Sequence, residues 1–164
     1  MGMRVVGRLL TDEQLAQILA DPAAANELSW NEGDNDGPAD ECLDLDKAWH
    51  GVHFLLTGTV DATRAPLGQA VLGGREVGED DGYGPPRLLD VAAVAEVATA
   101  LAGLGDDAVR ARFDARAMDS LDVYPQIWDE GSILEEYLIP SVAALRRFYA
   151  QASSRGAAVL LAVR

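Results

Sequence analysis

The segment that most constrains this chain is its last. After Gly156 the sequence reads "AAVLLAV", seven residues without one polar side chain. The run is far too short to span a bilayer, so it reads as a strand of a soluble fold. A strand that is apolar at every position offers water no face, and it belongs in a sheet covered on both sides. Near the other end, "MRVVGRLL" reads as a second strand over residues 3 to 9, with valines and leucines on a buried face. The two terminal strands are expected side by side in one small central sheet, with helices packed around it.

The helices announce themselves by their starts. Thr11 with Gln14 forms a capping box ahead of the apolar stripe Leu15, Ile18 and Leu19. Pro22 suits the first turn of a following helix. Asp46 is placed to cap a helix that Gly58 ends. Asp90 precedes "VAAVAEVATALAGL", whose Val91, Val94, Val97 and Leu101 recur at helical spacing and are expected in the core. Asp106 begins a helix through Phe113. Ser132 and Glu135 form a second capping box before a long periodic segment, running to about Ser153, that Pro140 either kinks or divides. Val71 to Val77 and Arg87 to Leu89 read as short strands. With 164 residues and no internal linker or repeat, the expectation is one domain over residues 1–164, of mixed α/β (α+β) class.

Charge removes one class of function. The net charge is −14, and no basic stripe opposes it, so phosphate backbones are repelled and nucleic acid is not an expected partner. The charge would suit a basic protein partner, and it serves solubility equally well, the commoner role of surface acidity. Membrane association is not expected, because neither a spanning segment nor a signal-peptide pattern stands at the N-terminus, and Val6 occupies the position where a myristoylation motif needs Ser or Thr. Cys42 is the only cysteine, so no internal disulfide exists and a cytoplasmic location is expected. Twelve of the 13 basic residues are arginine, the bias of a GC-rich bacterial genome.

Titratable chemistry collects in "LDLDKAWHGVHFLLTG", residues 43 to 58, which holds both histidines and the only lysine. On a helix over residues 46 to 57, Ala48, Trp49, Val52, Leu55 and Leu56 form the core face. Asp46, His50 and His53 then follow one edge as a polar stripe, beside Lys47. That spacing can present three metal ligands, but no further His or Cys completes a set, so no metal and no cofactor is expected. Lys47 has Asp44 and Asp46 as near neighbours, which favours an ion pair over a nucleophile. The acidic loop "NEGDNDGPADE", residues 31 to 41, places Leu43 where a calcium loop needs glutamate, so it reads as a solvated loop. "GEDDGYGPP" and "VYPQIWDEGS" put Tyr83, Tyr124 and Trp128 in non-helical segments. Trp49, His53, Tyr83, Tyr124 and Trp128 are therefore the candidate pocket, with His53 straddling core and surface and His50 toward solvent.

The ordered set "MGM", "LDLDKAWHGVHFLLTG", "AVLGG", "DGYGPPRLL", "YPQIWDE" and "LRRFYAQASSRGAAVLLAV" resembles the YfbM-like family of small bacterial proteins, from Met1 to the C-terminus. The resemblance implies a single mixed α/β domain with helices layered around a sheet, in bacterial cytoplasm. It carries no catalytic residues onto this chain. Two functional readings follow from the residues. The first is a non-catalytic binding or protein-interaction module, immunity-like or regulatory, with a basic protein or a small molecule as partner. The second is a small-molecule hydrolase using His53 with a nearby carboxylate.

Overall fold

A computed structural model describes residues 2–30, 41–64 and 66–164, with Trp30 as backbone only. The acidic loop thus lies outside the described residues, apart from Glu41. In chain order the elements are β1 (Val5–Leu9), α1 (Asp12–Ala20), α2 (Ala24–Trp30), β2 (Cys42–Asp44), α3 (Trp49–Thr57) and α4 (Pro66–Leu72). There follow β3 (Arg75–Glu76), β4 (Arg87–Leu89), α5 (Val91–Ala102), α6 (Asp106–Ala111), α7 (Ala115–Ser120), α8 (Ile139–Ser154) and β5 (Val159–Val163).

The apolar run that closes the sequence is the middle of the sheet, whose order is β2-β1-β5-β4-β3 with every pair antiparallel. The terminal strands pair from Val5↔Val163 to Leu9↔Val159. Arg4 and Arg164 extend the ladder by exchanging two amide bonds of 2.8 Å. Side chains alternate along β5, so its apolar content serves two cores. Val159 and Leu161 join the larger core beneath α3 to α8, while Ala158 and Leu160 join Ile18, Ala24 and Ala25 of α1 and α2. An antiparallel sheet with one bare face would need polar residues at alternate positions. Covering by α1 and α2 removes that need, and each leucine so enclosed contributes roughly 2 kcal/mol. Gly7 in β1 lets Phe148 of α8 lie close, since a methyl there would press against Leu161, Leu43 and Phe148 at 3.1–3.3 Å.

Several starts and stops are as read. Thr11 and Gln14 make both halves of the capping box, the carboxylate of Asp90 accepts from the Ala93 amide at 2.8 Å, and Gly58 ends α3 in the left-handed conformation. Pro140 stands in the first turn of α8, where its missing N–H leaves no bond unmade. Preceding it, Leu134–Leu138 form a π-helical turn, so two helical segments meet there.

Other readings need correction. Asp46 does not cap α3. It opens a 3-10 turn, Asp46–Ala48, with a positive φ of 45°, and its amide donates to the Asp44 carboxylate at 2.8 Å. Asp44 has taken over the local turn, and α3 starts three residues later without a side-chain cap. Ser132 and Glu135 form no capping box. Glu135 makes a two-pronged pair with Arg110 (2.7 and 3.1 Å), and a charge-assisted pair outcompetes a backbone amide. Val71 lies in a helix and not a strand, because Pro66 starts α4 and Gly73 follows its end. The sharpest departures are Leu19 and Val91, both on apolar stripes, which are 61 % and 44 % exposed.

Candidate functional site

Nearly every side of α3 is covered. Trp49, Val52, His53, Phe54, Leu55 and Leu56 are buried, and Gly51 leaves room for the Trp128 ring, which a methyl would overlap. Arg112 reaches the open C-terminal end of this helix, donating to the Leu55 and Leu56 carbonyls (3.1 and 2.5 Å). Those carbonyls carry the negative end of the helix dipole, so a guanidinium is well placed there.

His50, half-buried, is held by backbone on both sides. Its Nε2 lies 3.0 Å from the Val60 carbonyl, and its Nδ1 accepts from the Tyr124 amide at 3.0 Å. A carbonyl only accepts and an amide N–H only donates, so the ring is neutral with its proton on Nε2. Burial lowers its pKa, more than the Val60 bond and the Asp61 carboxylate raise it. Trp49 stacks on it at 4.7 Å and 10°, and Tyr124 stacks on Trp49 at 6.0 Å. Trp49 Nε1 donates to the Met3 carbonyl at 3.2 Å, drawing the N-terminal segment onto the stack.

The expectation that His53 straddles the surface is overturned. The ring is fully buried, with no hydrogen-bond partner at either nitrogen. Burial, then the neighbouring His50, lowers its pKa to about 4 against the pull of Asp61, so it is neutral at pH 7. The wheel places one face of α3 in the core but cannot know that α4, α6 and the segment around Trp128 cover the rest. Asp46, His50 and His53 do not converge. Asp46 instead accepts from Tyr137 Oη at 2.9 Å, and burial, then this carboxylate, pushes the Tyr137 hydroxyl pKa up. Among the described residues no group of three His, Cys, Asp or Glu is placed to hold a metal ion. Lys47 is exposed, its stem beside Gly2.

Of the five pocket candidates, the fold brings Trp49 and Tyr124 into contact and lays Trp128 on α3 at Gly51, two residues before His53. Trp128 Nε1 is satisfied by the Val123 carbonyl at 2.7 Å. Tyr83 stands apart, 48 % exposed on the β3–β4 loop. That loop is tied to α2, where Asn26 holds Glu79 through its amide and carbonyl and Asp81 through its carboxylate, at 2.7–2.8 Å. α2 covers the opposite face of the sheet from α3.

An opening among the described residues lies elsewhere. A groove of about 850 Å³ passes the β3–β4 edge of the sheet, between α1 on one face and α4 with the start of α5 on the other. Leu15, Leu19, Leu72, Leu88, Leu89 and Val91 give it an apolar lining, and Arg75 and Asp90 are its charged residues. Periodicity contained the signal without its meaning, since Leu19 and Val91 have core spacing and face this opening instead. A second opening of about 460 Å³ borders Thr57, Asp61 and Arg64, and His53 lines neither.

A family model described as a domain of unknown function, DUF1877, matches residues 1–162. Among solved structures, the chain is similar to the crystal structure of a protein of unknown function, YfbM from Escherichia coli. The two are 23 % identical with a TM-score of 0.75, covering 98 % of this chain and 99 % of that one, a likeness of fold. A comparison with curated proteins found no match.

Proposed function

The chain belongs to the DUF1877 family, and from its geometry we propose that it is a non-catalytic binding module whose binding surface is the groove between α1 and α5. One observation carries this reading. Two large apolar side chains that helical periodicity assigns to the core, Leu19 and Val91, are both exposed, and both face the same cavity. A groove of this volume and lining suits capture of an apolar group, with Arg75 and Asp90 as orienting polar contacts. The histidines serve the fold, since His50 is bonded to backbone on both sides and His53 is enclosed. That enclosure weakens the hydrolase alternative, in which His53 works with a carboxylate such as Asp61. No described helix is long and apolar enough to cross a membrane, and a single cysteine, Cys42, is compatible with a cytoplasmic setting.

The test uses the neutral dye Nile red with the purified protein. Its fluorescence should rise on binding and return to background in the double variant Leu19→Gln, Val91→Gln, with the melting temperature unchanged. A dye response that ignores both substitutions overturns the groove reading. Turnover of a chromogenic ester or phosphate by the native protein, lost in His53→Leu, would favour the hydrolase instead.

A further inference from the structure

Resting on the groove reading above, we infer that the groove takes the apolar face of a basic amphipathic helix from a partner protein. The charge of the walls selects the sign of the partner. α1, α4 and α5 contain no lysine or arginine, while Asp12, Glu13 and Glu96 lie on them and Asp21 and Asp90 cap their ends. All five acids are exposed. Arg75 is the one basic residue in the lining, with Glu76 beside it. Around these elements the chain as a whole carries −14, so a cationic segment is drawn in at long range and an anionic one is turned away.

The shape of the groove selects a helix over a strand. β3 is only two residues long, and Gly73 and Gly74 turn into it directly from α4, so the sheet edge offers too little backbone for strand addition. Leu15 and Leu19 stand one turn apart on α1, opposite Val91 and Leu72. Such ridges receive side chains spaced i, i+3 and i+4 on an incoming helix.

The probe is a designed Leu/Lys helix of about five turns, with a Leu/Glu helix of the same apolar face as its counterpart. Titration followed by amide NMR should show one-to-one binding of the Leu/Lys helix, with shifts centred on Leu15, Leu19, Gly74 and Val91. The uncharged double variant Leu19→Gln, Val91→Gln should bind it roughly tenfold more weakly or worse at an unchanged melting temperature. The Leu/Glu helix should not bind. Equal binding of both helices overturns the charge argument. Leu/Lys binding that survives the double variant, with scattered shifts and loss in salt, shows adsorption to an acidic surface and overturns the site. If neither helix binds while Nile red still reports the groove, this inference fails and the broader reading stands; if the dye also fails, both fall.

Discussion

α1 and α3 are helices of the same length, nine residues each, and they end in opposite circumstances. α3 carries both histidines of the chain and has seven buried residues. α1 carries a plain apolar stripe and has one, Ile18. The residues that look like chemistry are packed away, and the residues that look like packing stand at an opening. The difference comes from the layers. α3 is enclosed within the thicker side of the fold, under α4, α6 and the Trp128 segment. α1 meets the sheet and α2 through Leu15 and Ile18, and Leu19 faces the groove. Residue type told less about role than the number of neighbours each helix received.

That contrast can be broken first at α3. Trp128→Ala should cost about 3–5 kcal/mol, because it removes a fully buried ring lying on Gly51 together with its bond to the Val123 carbonyl, which keeps only the Gln126 amide. Denaturant unfolding measures it, and a loss below about 1 kcal/mol would mean α3 is not enclosed as described. The next effect is one of pH. His53 is neutral when folded, with a pKa of about 4, while an unfolded histidine titrates near 6.5. Below pH 6.5 the unfolded chain takes up a proton that the folded site refuses, so stability is full above that value and falls as pH drops toward 4. The His53 share is roughly 2 kcal/mol between pH 7 and pH 5, and His50 adds in the same direction. His53→Leu should flatten that slope, and an unchanged slope would place the acid sensitivity elsewhere.

A smaller loss is expected for Arg112→Ala, about 1 kcal/mol, since its bonds to the α3 carbonyls are charge-assisted but partly exposed. Hydrogen exchange should show the last turn of α3 opening more readily in that variant. Least of all, Leu19→Gln on α1 should shift stability by no more than about 0.5 kcal/mol. A cost comparable to that of Trp128→Ala would erase the contrast between the two helices and return Leu19 to the core.

Local signals in the sequence were readable where one element decides the outcome. The Thr11 and Asp90 caps, the stop at Gly58, the span of β4 and the double burial of β5 depend on neighbours a few residues away or on one unbroken apolar run. Readings failed where a remote group competes. Arg110 claims Glu135, Asp44 replaces Asp46 at the turn before α3, and Trp128 closes the side of α3 that a helical wheel leaves to solvent. The groove was hidden for the same reason. Val91 has the spacing of Val94 and Val97, but it occupies the first turn of α5, beyond the edge of what α8 and α4 cover. Periodicity reports which face of a helix is apolar, not how far along the helix the covering layer extends.

The position of β5 in the sheet also sets an order of events during synthesis. It is the middle strand and the last of the five to leave a ribosome. Until it emerges, β2–β1 and β3–β4 are two separate pairs, and the inner edges of β1 and β4 have no strand to meet. The sheet is completed by insertion at its centre and not by growth at its rim, joining segments nearly a whole chain apart. Such a contact is slow to find, and a nascent chain awaiting it shows two bare edges to its surroundings. A chain cut at Gly156 would keep those edges permanently, so it is expected to need chaperone protection and to aggregate without it.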